Sequence, residues 1–256
     1  MRFAVLVLFL PAAVLADTPS KVPASITAKL ETQRKEAEEN YRRGVQLADG
    51  DGVLRDYAAA ARFYRKAADL GHATAQYDLA YLYENGLGVA QDCEQAAFWY
   101  RKAADQGDAE AQNNLGALYA KGQGVPRSDV QAVHWYRLAA EQNDPEGVSN
   151  LGTMYLQGRA VKRDLVQAFE LFRKAANLGY AVAQNNLALM YANGQAVAKD
   201  YIWAYAWLDI ASEQISGSAE LRDRIGAEMT PVDIAHALNL AKRKREELTQ
   251  KKELTR

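Results

Sequence analysis

The chain has 256 residues, with 31 Lys and Arg against 32 Asp and Glu, for a formal net charge of −1. So even a balance carries no electrostatic footprint of a nucleic-acid partner. The one cysteine, Cys93, excludes an internal disulfide framework.

Residues 1–16, MRFAVLVLFLPAAVLA, hold one basic residue, an apolar run and a small-residue end before Asp17. This pattern predicts a cleaved secretory signal, and hence export to the periplasm or beyond. The alternative is a retained membrane anchor, but the run is shorter than the roughly 20 residues that span a bilayer. No later stretch approaches a transmembrane span. Residues 17–35 begin as a leader, DTPSKVPAS, and become helix-prone and highly charged from about Ser25. Ile26, Leu30, Ala37 and Tyr41 give that helix a thin apolar stripe.

From residue 36 to 215 the sequence repeats with a period of 36. Tyr83, Tyr119, Tyr155 and Tyr191 keep one phase, and Gly86, Gly122, Gly158 and Gly194 another. Leu79, Leu115, Leu151 and Leu187 keep a third, and Ala96, Ala132, Ala168 and Ala204 a fourth. A fixed period of this size marks a solenoid. Within one unit, Ala75, Leu79, Ala80, Leu82 and Tyr83 share a helix face, and Gly86 follows where a left-handed residue ends the helix. Asp92 then caps a second helix with Gln95 three residues on, and Ser128/Gln131 and Asp164/Gln167 repeat the pattern. Ala96, Trp99, Tyr100, Ala103 and Ala104 fall on one side of it, and Gly107 closes it. Asn143 stands where Gly71, Gly107 and Gly179 stand in other copies, and Asp144–Pro145 is the strongest N-cap and N1 pair. Ala80, Gly116, Gly152 and Ala188 are small beside the tyrosines, letting helix backbones approach. The first unit is degenerate in its first helix. The unit over 144–179 has Leu171 for Trp and Ala160 where Gly88 or Gly124 stands elsewhere.

These motifs, AQYDLAYLYENGLGVAQDCEQAAFWYRKAADQG and AQNNLGALYAKGQGVPRSDVQAVHWYRLAAEQN, resemble the Sel-one-like repeat, a relative of the tetratricopeptide repeat. The resemblance implies an all-α fold, an α/α solenoid with a right-handed superhelix of about five helix-turn-helix units and helical caps. After the last unit, residues 216–256 contain Thr230–Pro231 with Asp233 at N3, and Ile234, Leu238 and Ala241 on one face. This ending resembles the closing segment of bacterial proteins of the family and is expected to seal the last repeat. The basic run 242–245 is expected to be a solvated helix end rather than an anionic-surface site, since Glu246 and Glu247 follow.

No catalytic constellation is evident. His72, His134 and His236 pair with no nucleophile or metal partner at usable spacing, and there is no Walker loop or GxSxG. No cofactor is expected. Cys93 opens a second helix where Asp129, Leu165 and Tyr201 stand in other copies, which marks it as a passenger. The informative positions vary between copies on the first helices: Tyr77, Asn113, Ser149 and Asn185, then Tyr81, Ala117, Thr153 and Leu189. Asp78, Asn114, Asn150 and Asn186 form a polar ladder beside them. In solenoids of this kind the first helices line the concave side. The ladder then serves either to bond an extended peptide or to bond neighbouring helices. The resemblance implies a non-catalytic scaffold for a protein partner, assembling envelope complexes or regulating cell-wall enzymes. Direct binding of peptidoglycan is the alternative, and a hydrolase the third reading.

Overall fold

The computed structural model describes residues 24–254. The signal expected over 1–16 and the start of the leader lie outside the described residues. Among the described residues there are twelve helices and no strand. They are α1 (Ala24–Asp49), α2 (Tyr57–Asp69), α3 (Ala73–Asn85), α4 (Cys93–Ala104), α5 (Ala109–Lys121), α6 (Asp129–Glu141), α7 (Pro145–Gln157), α8 (Leu165–Asn177), α9 (Ala181–Asn193), α10 (Tyr201–Ala211), α11 (Ser216–Gly226) and α12 (Pro231–Leu254). None is long and apolar enough to cross a membrane. The helices fall into two compact units, one ending at Asp108 and one beginning at Ala109.

Residue chemistry sets the helix boundaries. Asp56, Asp92, Asp164 and Asp200 each turn a carboxylate onto an amide of the first turn of α2, α4, α8 and α10. Ser128 and Asp144 do the same for α6 and α7, and Pro145 sits at the first position, where a missing N–H costs nothing. The first helices end on Gly86, Gly158 and Gly194 in the left-handed region. The linker then folds back, and the amides of Asp92, Ser128, Asp164 and Asp200 donate to the carbonyls of Tyr83, Tyr119, Tyr155 and Tyr191 at 2.9–3.1 Å. Asn143 takes its glycine-like place with φ 63°. Ala160 and Ala196 are also left-handed, with φ 53° and 68°, so these copies keep the turn without the glycine.

The two helices of a copy meet through a small residue and a ring. An added Cβ on Gly44 would lie 2.5 Å from the Tyr64 ring, on Gly116 2.8 Å from Tyr136, and on Gly152 3.1 Å from Phe172. The ring over each glycine comes from the second helix, not from the tyrosine at the end of the first. Gly44 keeps this contact in the first unit, so its first helix is regular in packing although irregular in sequence. Burial pushes the Tyr136 phenol up to about 12. In the unit from Ala109, Leu151, Met154, Phe172, Leu187, Trp207 and Leu208 belong to one buried cluster.

α1 is 26 residues long, twice the usual 13, so the charged extension does join the first helix. Ala37 is buried, but Ile26 and Leu30 remain exposed. The expected apolar stripe is therefore packed only where α2 lies beside it.

Candidate interaction surface

The first-helix positions separate by burial. Asn113 and Ser149 are each 2% exposed. The Asn113 amide donates to Asn114 Oδ1 at 3.1 Å, and its Oδ1 accepts from Asn150 Nδ2 at 2.8 Å. That chain of amides ties α5 to α7. The carbonyl of Ser149 accepts from Thr153 Oγ1 at 3.2 Å. Asn185 Oδ1 accepts from Ser218 Oγ at 3.0 Å, which ties α9 to α11. Asn114, Asn150 and Asn186 are half-buried and keep a polar edge toward solvent. In the unit ending at Asp108, Tyr77 is half-buried with its ring 5.7 Å from that of Tyr100. Asp78 faces the Tyr41 phenol, which burial and then this carboxylate push up to about 12. Tyr81 is 45% exposed.

A second set of side chains, not singled out in the sequence, holds copies together. Gln76 Nε2 donates to the Ala68 carbonyl at 3.0 Å, and Gln184 Nε2 to the equivalent Ala176 carbonyl at 3.3 Å. The Oε1 of Gln76 accepts from Gln106 Nε2 at 2.7 Å, and that of Gln112 from Gln142 Nε2 at 2.9 Å. One glutamine thus serves a helix-end carbonyl and is itself held by another glutamine 30 residues on. The copy between them in register replaces both, with Val148 and Leu178. There the Ala140 carbonyl accepts from Lys174 Nζ at 3.0 Å instead. The signal for this clasp was the Ala–Gln pair at 75–76, 111–112 and 183–184. The valine at 148 breaks it.

The last copy differs by one charge. Arg65, Arg101, Arg137 and Arg173 stand in register with Asp209. Asp209 is buried and accepts from Arg222 Nη1 at 3.0 Å and Arg245 Nη2 at 2.8 Å. These bonds fasten α11 and α12 to α10. The run 242–245 lies inside α12 rather than at a helix end. Two of its residues are paired, Lys244 with Glu247 at 2.6 Å and Arg245 with Asp209 and Glu213. Helix interior placement and these pairs replace the expected solvated terminus.

His72 Nδ1 accepts from the Ala75 amide at 3.2 Å and so serves as an N-cap, with its Nε2 3.2 Å from Glu38. His134 is exposed beside Trp135. Among the described residues, no group of three or more His, Cys, Asp and Glu is placed to hold a metal ion.

The Sel1 repeat model matches residues 40–72, 73–108, 109–144, 145–180 and 181–216. No curated protein matches the chain. Among solved structures, c5321, a protective antigen present in uropathogenic Escherichia coli strains and displaying an SLR fold, is 36% identical with a TM-score of 0.78. The alignment covers 85% of this chain and 48% of that one, so the chain spans about half of that protein's length. A Sel1 repeat protein from Oxalobacter formigenes is 31% identical with a TM-score of 0.72, over 81% of this chain and 86% of that one. Immunity protein Pa5087 from Pseudomonas aeruginosa, 23% identical with a TM-score of 0.51 over 94% of this chain and 87% of that one, shares the fold. The five matched repeats, with their caps, glycine turns and ring-over-glycine contacts, make this chain an α/α solenoid, and it belongs to the Sel1 repeat family.

Proposed function

We propose that the chain is an exported, non-catalytic scaffold that binds a protein partner on its first-helix faces. Sel1 repeats are in general protein–protein interaction scaffolds, and the family membership supports that much. The observation that carries the finer reading is Tyr81. It leaves a large ring 45% exposed on α3, where Ala117 and Thr153 serve in other copies, so packing does not require it. Exposed tyrosine offers wide contact at small cost in rotamer freedom and is enriched at binding hot spots. In the other unit the half-buried Asn114, Asn150 and Asn186 offer amides to an extended peptide backbone. Tyr77 contributes beside Tyr81, though its contact with Tyr100 also makes it part of the packing. Asp78, Asn113, Ser149 and Asn185 then act by holding the helices that carry these groups. That a 36%-identical relative is a protective antigen accords with an exported chain.

A photo-reactive residue at position 81, used in the native host and followed by mass spectrometry, tests this reading. A single protein species captured in the envelope fraction, lost on shifting the probe to the exposed Val166, is expected. Sequencing of the mature N-terminus is expected to give Asp17. Capture only by insoluble peptidoglycan, or a cytoplasmic chain that retains Met1, overturns the reading.

A further inference from the structure

The last glutamine clasp is open. Gln184 is 1% exposed and donates Nε2 to Ala176, but its Oε1 is buried with no hydrogen-bond partner in the protein. Its counterparts on Gln76 and Gln112 are served by Gln106 and Gln142. The residue in register is Gln214, which instead lines a cleft of about 170 Å³ together with Gln184. Backbone chemistry explains the difference. Gln106 and Gln142 precede Gly107 and Asn143, both left-handed, with φ 94° and 63°. Gln214 precedes Ile215, which stays extended at φ −123° and opens α11. A β-branched residue does not adopt the left-handed turn, so the chain leaves in another direction and takes Gln214 with it.

The cleft has room for several waters or a small aliphatic group. Ile210 and Leu248 give it apolar walls, and Glu213 sets a carboxylate at its edge. Arg245 also lines it, but its Nε is given to Glu213 and its Nη2 to Asp209. The charged groups lining the cleft are Glu213 and Arg245, which pair with each other, so the free acceptor there is the Gln184 oxygen. A buried amide oxygen, a carboxylate and two apolar walls suit a group that only donates and carries a methylene stem.

We propose that this cleft binds a primary ammonium on an aliphatic chain, as a lysine side chain or a free alkylamine presents it. The site lies in the unit from Ala109 and does not rest on the first-helix reading. An anion would meet the Glu213 carboxylate and an amide acceptor there, and an apolar group would leave the Gln184 oxygen buried and unserved.

The test is an NMR titration of the full chain at constant chloride, followed at backbone and side-chain amides so that the variants are read at the same backbone signals, with n-pentylammonium and with Nα-acetyl-lysine N-methylamide. Saturable shifts of Gln184 and Gln214 are expected with both. Equal response to the two probes identifies a free amine as sufficient, and at least tenfold tighter binding of the lysine derivative identifies a polypeptide source. Gln184→Val with Gln214→Leu reproduces the apolar pair Val148 and Leu178 that the fold already accepts. It is expected to lose at least tenfold in affinity with a near-parental Tm. Glu213→Gln, a change at a largely exposed side chain, is the second variant and is expected to weaken binding as well. Absence of saturation with either probe, or undiminished binding in both variants, overturns the proposal. So does a crystal structure with Gln214 Nε2 on Gln184 Oε1.

Discussion

Gly88→Ala is expected to be among the most damaging single-methyl additions in the chain, although alanine is native at the same repeat position elsewhere. Gly88 has φ +68°, and an added Cβ would lie 2.3 Å from Ala58 N, 2.3 Å from Tyr57 C and 2.7 Å from Tyr57 Cβ. Two of these are backbone atoms at the start of α2, which its Asp56 cap holds in place. The left-handed conformation costs alanine about 1–2 kcal/mol, and overpacking against fixed atoms adds about 1–3 kcal/mol. Together these predict a loss of about 2–5 kcal/mol. Ala160 bears the first cost already, at φ 53°. Ala160→Gly relieves that strain but frees the unfolded chain, which offsets it by about 0.4–1 kcal/mol, so stability is expected to hold or rise by up to about 1.6 kcal/mol. Denaturant unfolding of both variants by linear extrapolation measures the difference. If Gly88→Ala costs less than about 1 kcal/mol, or the two variants shift equally, the linker is not seated on α2 and the argument fails.

Three further outcomes follow from the same contacts. Asn113→Ala strips the acceptor from Asn150 and the donor from Asn114 and is expected to cost about 1–3 kcal/mol by thermal or chemical melting, whereas Asn186→Ala stays within about 0.5 kcal/mol. Lys174→Met takes the side-chain donor from the Ala140 carbonyl and leaves it only backbone amides such as that of Asn143, and melting should show a loss of about 1 kcal/mol that Val148→Gln in the same chain restores; no recovery would mean that the glutamine clasp does not transfer between copies. The Tyr136 phenol stands at about 12 when folded against a reference of 10.0, so the folded chain keeps a proton that the unfolded chain loses. Stability therefore falls as pH rises from about 10 towards about 12, and Tyr136→Phe is expected to flatten part of that slope in urea midpoints taken across the range.

Turns and caps were legible in the sequence because each demands a residue type. A left-handed end calls for Gly or Asn, and Gly86, Gly158, Gly194 and Asn143 are all left-handed. Asp92, Asp144 and Asp164 cap because a short acceptor there meets free amides. Ala160 shows the limit: its neighbours keep the turn although its own type argues against it. The amide ladder was legible as a row, but not its division of labour. Only the packing of α5 on α7 shows that Asn113 faces a neighbour while Asn114 and Asn150 keep a solvent edge. The clasp was obscured because Val148 and Leu178 changed together. One apolar position reads as noise, and two at the clasp spacing of 30 read as a pair only once Gln112 and Gln142 are seen joined. The run 242–245 reads as a helix end because no residue within α12 announces how far it continues beyond the charges.

The reversal at Asp209 has a consequence for how such a chain can lengthen. Every copy from the second to the fourth carries its own cap, turn and arginine, so duplication of any of these three inserts a unit that brings what it needs. A copy appended after the fifth would instead place an arginine where Arg222 and Arg245 converge, and the two terminal helices would lose their seat. The array is thus free to grow from within, and the carboxylate that receives both terminal arginines belongs to its last copy alone.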